Sequence, residues 1–258
     1  LTLLPRLPEP LARLEELAHD LYWSWRSDAR RIFRRLDVGL WEACGHNPVA
    51  MLRDVAQERL DAAALDPEFL AEYTAVMARY DAYLASRSWF DSAAPSDHLY
   101  AYLCAEYGWS EAIALYSGGL GVLAGDHTKA ASDLGVPLVA VGLYYPEGYF
   151  HQRVGPDGGQ EAVYQRSSPA ALPFRPALDA AGQRATLAVE IFGRRVLVQA
   201  WEVRVGKVRV LLLDVDVDGN DPADRKLLYR LYGGDQRTRG AQEMILGIGG
   251  VRMLRARD

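Results

Sequence analysis

Apolar residues in the first third of the chain recur at intervals of three and four positions, which places them on one face of a helix. The first group follows Pro10, a residue that an initial helical turn accepts. Further helices are predicted at Asp28–Leu36 and after the His46-Asn47-Pro48 turn. The longest stripe comprises Phe69, Leu70, Tyr73, Val76, Met77, Tyr80, Tyr83 and Leu84. We therefore predict a helical region over residues 1–92.

The pattern changes at residues 91–97, whose small polar residues and single proline predict a linker. Beyond this stretch, strand-like and helix-like runs alternate. They comprise a strand at Leu99–Cys104, a helix at Gly119–Leu134 and a strand at Pro137–Tyr144. This order predicts a parallel strand pair joined by a crossover helix. We therefore predict an α/β domain over residues 97–258.

The second half of the chain carries the alternation expected of consecutive hairpins. A glycine-rich turn is predicted at residues 155–159. Three strands follow it, at Thr186–Phe192, Arg195–Val205 and Lys207–Val215. Because Gly193 and Gly206 stand at the two junctions, these strands predict an antiparallel meander. The pattern then returns to helix over Asp221–Arg255, with a break at Gly233-Gly234.

Composition indicates a folded protein without a strongly basic surface. Hydrophobic residues make up 50% of the chain and charged residues 24%, and the net charge is -5. This charge argues against non-specific binding to nucleic acid or to an anionic membrane. An arginine cluster at residues 30–35 has helical spacing, which we interpret as a solvated helix face.

Cysteine usage, apolar run length and the chain start indicate the cellular compartment of the protein. Cys44 and Cys104 offer neither a disulfide framework nor a zinc spacing, which favours a reducing environment. The apolar runs stay below the ~20 residues that cross a bilayer. The chain begins at Leu1 without a signal-peptide pattern and ends just after a helical stretch. We therefore expect a fragment of a cytoplasmic protein.

A glycine-rich motif at residues 116–126 holds the most informative candidate chemistry. It reads Tyr-Ser-Gly-Gly-Leu-Gly-Val-Leu-Ala-Gly-Asp and lies between a predicted strand and a predicted helix. Glycines there let backbone N–H groups approach an anion, and the helix N-terminus adds free donors and partial positive charge. The alternative is a turn that only lets the helix pack closely on the sheet.

Residues 119–124 also match the Gly-x-Gly-x-x-Gly/Ala pattern of dinucleotide-binding proteins. That pattern expects an acidic residue at the end of the second strand, to hold a ribose. Here the strand ends on Tyr144-Tyr145-Pro146, and Glu147 follows only after the proline. A dinucleotide site remains an alternative with an incomplete match.

The motifs taken together resemble the α-glucan phosphorylase family, and most closely its compact bacterial branch. They are Glu106-Tyr107-Gly108, the glycine motif at 116–126, residues 142–152, Leu231-Tyr232-Gly233-Gly234-Asp235, residues 242–251, Trp23-Ser24-Trp25 and His46-Asn47-Pro48-Val49. They cover nearly the whole chain in family order. Glycogen and starch synthases share a Gly-Gly-Leu-Gly loop, but theirs lies near the chain start and follows a lysine, whereas Ser117 precedes the loop here. A synthase-like glycosyltransferase is therefore the second interpretation.

The resemblance implies the N-terminal Rossmann-like domain of a GT-B glycosyltransferase fold, with a helical segment before it and a β-meander within it. Family members transfer a glucosyl unit from an α-1,4-glucan to inorganic phosphate and form glucose 1-phosphate. Their cofactor, pyridoxal 5'-phosphate, is anchored by a lysine in a second domain. The resemblance therefore implies that this chain alone is inactive and contains no catalytic residue. A homo-oligomer is compatible with the resemblance.

Particular roles are implied for five residues. Gly118 and Gly119 should face the cofactor and substrate phosphates, and Leu120 should adjoin the glucosyl ring. Glu106 should hold the site together or contact substrate, and Asp235 should approach the glucan. Where larger phosphorylases carry a tyrosine near the cofactor, this chain has Gly108, so we carry over no ring contact there.

Other polar residues have simpler explanations. Asp126 and His127 open the motif helix, where capping and solvation account for them. His151 follows two aromatic residues, which is typical of a partly buried histidine. We predict no metal site. A non-catalytic glucan-binding module is a further alternative.

Overall fold

Helices make up the N-terminal part of the protein in the computed structural model, which describes residues 4–93 and 98–256. They are α1 (Leu14–Ala18), α2 (Ser27–Leu36), α3 (Val38–Ala43), α4 (Pro48–Asp54), α5 (Gln57–Leu65), α6 (Pro67–Ala85) and α7 (Trp89–Ala93). The first apolar group forms α1 between two short 3-10 turns rather than one longer helix. Most of the predicted linker, residues 94–97, lies outside the described residues.

Local sequence explains where these helices begin. The Asn47 side chain accepts hydrogen bonds from the backbone of Val49 and Ala50, which caps α4. Asp66 caps α6 in the same way, and Pro67 occupies its first turn. The predicted apolar stripe of α6 is buried at five positions, namely Phe69, Tyr73, Val76, Met77 and Tyr80. The predictions of α2, α4 and α6 are confirmed.

The α/β part combines one mixed sheet with a separate hairpin. Its strands are β1 (Tyr100–Leu103), β2 (Leu138–Leu143), β3 (His151–Val154), β4 (Gln160–Val163), β5 (Phe174–Pro176), β6 (Thr186–Ile191), β7 (Arg194–Val205) and β8 (Val208–Asp214). Its helices are α8 (Gly119–Leu134), α9 (Gln236–Met244) and α10 (Gly250–Arg255), with a π-helical turn at Ile245–Gly249.

The sheet order confirms the α/β class. Strands β1, β2 and β8 are parallel neighbours, and β8 continues antiparallel into β7, which also pairs with β5 and β6. The predicted crossover unit is therefore present, with α8 at the predicted bounds. The meander is also confirmed, since Gly193 and Gly206 adopt positive φ angles of 78° and 60° at its turns. Because β8 pairs with both β2 and β7, the meander continues the parallel strands.

Two segments differ from the sequence-based predictions. The turn at residues 155–159 joins the β3–β4 hairpin, whose strands were not predicted. Within 221–255, the predicted break at Gly233-Gly234 is present, since Tyr232 and Gly234 adopt positive φ angles of 57° and 78° that a helix cannot contain. The residues before the break form only a short 3-10 turn at Asp224–Lys226 instead of the predicted helix. A π-helical turn at Ile245–Gly249 leads into α10, and Gly250 packs closely on β2, since a Cβ there would lie 3.0 Å from Val141 Cγ1.

The helical and α/β parts share one continuous apolar core. A buried acid joins them at the turn between β7 and β8. The Asp20 carboxylate accepts hydrogen bonds from Tyr22 N (2.9 Å), Tyr80 Oη (2.9 Å) and Gly206 N (2.7 Å). The α8 residue Ser132 accepts a bond from Lys207 N at 2.8 Å, which fixes the same turn. The division of the chain into two domains stays a prediction.

Candidate functional site

The glycine motif lies at the carboxyl-terminal edge of the parallel strands. After β1 ends, residues 104–118 form a loop that leads into α8. Strands β1, β2 and β8 run in the same direction, so their carboxyl ends meet at this edge. Open α/β sheets bind their ligands outside this edge. The fold therefore places the motif where a ligand is expected.

The glycines of the motif divide into two kinds. A Cβ on Gly121 would lie 2.5 Å from Tyr116 Cβ, and one on Gly125 would lie 2.3 Å from the carbonyl oxygen of Gly108. These two glycines are required because α8 packs tightly on the preceding loop. By contrast, a Cβ on Gly118 or Gly119 would meet no described atom within 4 Å. Intramolecular packing therefore gives no reason for these two glycines.

The start of α8 is open to a ligand. Gly118 occupies the N-cap position, where no side chain of the described residues caps the helix. Its first-turn N–H groups therefore remain available, with the partial positive charge of the helix end. Leu120, two residues after Gly118, has 53% of its surface exposed. The free N–H donors and the exposed Leu120 side chain together suit a ligand that carries an anionic group next to an apolar surface.

Glu106 lies beneath the motif and is only 2% exposed. Its Oε2 accepts a hydrogen bond from Ser117 N at 2.7 Å, which fixes the loop directly before the open glycines. Its Oε1 accepts a hydrogen bond from the hydroxyl of Tyr232. The carboxylate therefore joins two loops that are far apart in sequence. Both oxygens are engaged inside the protein, which fits a positioning role better than a direct substrate contact.

Tyr232 is a site residue that the sequence analysis did not single out. Burial, followed by the hydrogen bond to Glu106, raises the pKa of Tyr232 to about 12, so its hydroxyl stays a donor at neutral pH. The guanidinium carbon of Arg239 lies 5.3 Å from the centre of its ring. The position of Tyr232 directly before two glycines was the one sequence feature that marked it, and this feature does not predict the hydrogen bond to Glu106.

Asp235 lies three residues further along this loop. Its Oδ1 accepts hydrogen bonds from Thr238 N at 2.8 Å and Thr238 Oγ1 at 2.9 Å, which caps α9. These bonds lower the pKa of the Asp235 carboxyl. The loop approaches the glycine motif through Tyr232 and Glu106. The structure thus gives Asp235 a structural task, and its contact with a glucan stays a prediction.

The remaining candidates lie away from the open glycines or are committed to packing. A Cβ on Gly108 would lie 2.9 Å from Tyr116 Cγ, so a larger side chain does not fit there. His127 is exposed on α8, with its ring 4.6 Å from that of Tyr102. His151 begins β3 and is exposed rather than partly buried as predicted.

Metal and membrane sites were also sought. Within residues 4–93 and 98–256, no group of three or more His, Cys, Asp or Glu side chains could hold a metal ion. Over the same residues, no helix has the length and apolar character needed to cross a membrane.

Comparisons with known proteins show clear relatives. A family described as "Protein of unknown function (DUF3417)" matches residues 7–113. The glycogen phosphorylase of Mycobacterium tuberculosis (strain ATCC 25618 / H37Rv) is 45% identical over 263 aligned positions, covering 99% of this chain. The maltodextrin phosphorylase of Thermococcus litoralis is 41% identical over 97% of the chain, and the glycogen phosphorylase of Aquifex aeolicus is 36% identical over 93%.

This chain spans only a part of each relative. The alignments cover 30% of the Mycobacterium and Thermococcus proteins and 34% of the Aquifex protein. The predicted resemblance is confirmed, and the chain corresponds to the N-terminal portion of these relatives.

Proposed function

We propose that this chain is the N-terminal part of an α-1,4-glucan phosphorylase, which releases glucose 1-phosphate from glycogen or maltodextrin with inorganic phosphate. The observation that carries the proposal is the 45% identity to a glycogen phosphorylase over 99% of the chain. Because the chain spans about 30% of that relative, we assign the remaining catalytic machinery to the part of the protein beyond this chain.

We also propose that the α/β part forms one wall of a two-domain GT-B fold. Parallel strands β1, β2 and β8, with a glycine loop at their carboxyl edge, support a Rossmann-like arrangement. A second domain opposite this edge would enclose the glycine motif in a cleft. Enclosure matters because electrostatic contacts strengthen when water is excluded.

In this proposal the start of α8 binds phosphate groups. Gly118 and Gly119 leave the backbone uncovered, so phosphate oxygens can approach its N–H groups directly. The partial positive charge of the helix end stabilises the anions. Neither glycine carries a titrating group, so this wall contributes binding and charge stabilisation rather than proton transfer.

Pyridoxal 5'-phosphate is the cofactor that the phosphorylase relationship implies, and its phosphate group supplies a proton when it is bound. The residues of this chain that fit a cofactor phosphate are Gly118 and Gly119, because open space surrounds them and no side chain of the described residues caps the helix behind them. We expect the anchoring lysine in the second domain.

The neighbouring residues would orient the glucan. Leu120 offers exposed hydrocarbon next to the phosphate donors, which suits the apolar face of a glucosyl ring. Glu106 acts through Ser117 and Tyr232, and holds both loops at the distances that substrate requires. Asp235 caps α9 and thereby fixes the loop that carries Tyr232.

The test is to assay the full-length protein with maltoheptaose as glucosyl donor and inorganic phosphate as acceptor. We expect glucose 1-phosphate to form, and its formation to require pyridoxal 5'-phosphate. A parallel assay offers nucleotide-activated glucose as donor with maltoheptaose as acceptor. Glucosyl transfer in that assay, without phosphate-dependent release in the first, would replace the phosphorylase by a synthase-like enzyme.

A further inference from the structure

Strand β1 forms one edge of the mixed sheet. Among the residues that the structure describes, it pairs with β2 alone. Tyr100 N donates to the carbonyl oxygen of Pro137 at 2.8 Å, which begins the parallel ladder. Alternate residues of a strand direct their backbone groups to the same neighbour, so the N–H and C=O groups of Ala101 and Leu103 point away from β2. These groups form a free backbone edge.

The opposite edge of the sheet is protected, whereas the β1 edge is not. Natural edge strands carry charges or prolines, or are covered, because free backbone groups invite pairing with another strand. On β6, Arg252 donates to the backbone oxygen of Ala188 at 2.6 Å, so the backbone groups of Ala188 and of Glu190, two residues on, point away from β7. Strand β1 reads Tyr-Ala-Tyr-Leu and has neither a charge nor a proline.

Apolar side chains are exposed beside this free edge. Tyr100 is 46% exposed, and Leu123 and Leu134 of α8 are 65% and 44% exposed. The two leucines share one face of α8 with His127, whose ring lies 4.6 Å from that of Tyr102 in β1. The exposed face of α8 therefore lies on the β1 side. Neighbouring apolar groups of this kind mark an interface.

Helix α8 covers one face of the sheet. A Cβ on Gly142 in β2 would lie 2.7 Å from the ring of Tyr107, so this ring lies over the face to which Gly142 points. The Tyr107 ring stacks on Trp109, whose Nε1 donates to Thr128 of α8 at 2.9 Å. Helix α8 is therefore on the Gly142 face.

The helices that follow β8 cover the other face. Consecutive residues of a strand point to opposite faces, so Val141 faces away from α8. A Cβ on Gly250, where α10 begins, would lie 3.0 Å from Val141 Cγ1 and 3.3 Å from Leu103 Cδ2. Helix α10 therefore begins over β2 and β1, on the face opposite α8.

The handedness of crossovers decides where the next parallel strand goes. Connections between parallel strands are right-handed in about 98% of cases. Through α8, the chain steps from β1 to β2, in the direction of β8. A right-handed connection on the opposite face steps the other way, from β8 towards β1. Strands β2 and β1 already occupy the first two positions in that direction, so the next position is the free edge of β1.

We propose that the free edge of β1 binds a parallel strand formed by the segment that follows residue 258 in the full-length protein. The relatives supply such a segment, since the alignment covers only 30% of the Mycobacterium protein. The backbone groups of Ala101 and Leu103 pair with this strand, and its carboxyl end lies beside residues 104–118. The proposal follows from family membership and sheet topology, and it is independent of the reaction that the protein catalyses.

Hydrogen exchange in the full-length protein tests the pairing, with single amides resolved by mass spectrometry and electron-transfer fragmentation. We expect the amides of Ala101 and Leu103 to exchange at least about 100-fold more slowly than that of Glu190. Glu190 is the matched control, because its N–H also points outward from an edge strand but no further strand is expected there. Exchange of Ala101 and Leu103 as fast as that of Glu190 would overturn the proposal.

Photo-cross-linking identifies the occupant of the edge. In the full-length protein, Tyr100 is replaced by p-benzoylphenylalanine, which keeps an aromatic ring at this exposed position. We expect a cross-link within the same chain, to about the first 20 residues after residue 258, the length of a short connection and a strand. The control carries the same group in place of Phe192, in the turn between β6 and β7, and should not capture this segment.

The other cross-linking outcomes would overturn the proposal. A cross-link to a second copy, recognised by its doubled chain mass, would make the β1 edge a subunit interface instead. Capture of a different segment of the same chain, or of none, would remove the segment after residue 258 from this edge. The exchange experiment uses the unmodified protein, so its result does not depend on how the cross-linking variants fold.

Discussion

Glu106 is an acid buried at the meeting point of two loops, and Tyr232 supplies one of its hydrogen bonds. The Tyr232→Phe variant keeps the ring but removes the hydroxyl donor. A buried carboxylate oxygen then loses its partner, so we expect the free energy of unfolding to fall by about 1–3 kcal/mol. Urea unfolding monitored by tryptophan fluorescence measures this change.

The matched control is Tyr164→Phe, because the Tyr164 ring contacts Arg230 while its hydroxyl makes no hydrogen bond with a described residue. Its stability should change by less than about 0.5 kcal/mol. Equal effects of the two substitutions would show that the Tyr232–Glu106 bond contributes nothing specific. The bond joins residues separated by 126 positions, so local sequence patterns could suggest Glu106 but could not predict its partner.

His46 provides a prediction on pH. Hydrogen bonds to Glu111 and then to Glu42 raise its pKa above the ordinary value. The folded protein therefore binds this proton more tightly than the unfolded chain, and the resulting stability is present below the unfolded pKa of about 6.5. It is lost as the pH rises through the folded pKa.

We compare wild type with His46→Asn, because asparagine tolerates the positive φ of 61° at this position. The difference in unfolding free energy should be largest near about pH 5.5 and should shrink towards about pH 8.5. Urea titrations across this range measure it. A difference that stays constant with pH would contradict the assignment of a raised pKa.

At the scale of elements, the two kinds of glycine in the motif make opposite predictions. Gly125→Ala would place a Cβ 2.3 Å from the carbonyl oxygen of Gly108, so we expect a loss of stability of about 1–3 kcal/mol. Gly118→Ala meets open space and should change stability by less than about 0.5 kcal/mol. Thermal unfolding of both variants measures the contrast.

Activity of the full-length protein completes this comparison. Under the proposed function, the Cβ of Gly118→Ala occupies space that phosphate oxygens need, so the rate of glucose 1-phosphate formation should fall by at least about tenfold. Gly39→Ala, in α3, is the control for introducing a Cβ away from the motif, and this substitution should leave the rate unchanged. Its Cβ would lie 3.5 Å from Asp37 Oδ1, an ordinary van der Waals distance. Full activity of Gly118→Ala would remove this glycine from the proposed phosphate site.

Asp20 joins the helical part to the sheet and is 2% exposed. Asp20→Ala would leave three donors without their acceptor, including Tyr80 Oη and Gly206 N. We expect the free energy of unfolding to fall by about 2–4 kcal/mol. Asp81→Ala is the control, because Asp81 pairs with Arg13 at the surface and should cost less than about 1 kcal/mol. Similar costs for both would show that the buried junction is unimportant.

The elements that the sequence predicted well are those with local signals at both ends. Helix α8 is an example, because glycines open it and Gly135 ends it with a φ of 69°. The sequence failed where distant contacts decide the structure. The close approach of Gly250 to Val141 and the hydrogen bond from Tyr232 to Glu106 both join residues that are far apart in the sequence. Neither contact leaves a periodic pattern.

At the scale of the whole molecule, the proposed phosphate donors lie on one edge of one sheet. Gly118 and Gly119 can bind and stabilise charge, but they cannot transfer a proton. The chain also spans only about 30% of its phosphorylase relatives. Positioning of phosphate against a glucan requires groups on both sides, since catalysis by proximity depends on fixed geometry.

We therefore predict that residues 1–258 alone form no glucose 1-phosphate from maltoheptaose and phosphate. The full-length protein is the positive control, and the rate of the isolated chain should be lower by at least about 1,000-fold. Circular dichroism must first show that the isolated chain retains its helices and strands. Phosphate-dependent release by the folded chain would mean that this wall contains catalytic groups of its own, and would contradict the assignment of catalysis to the facing domain.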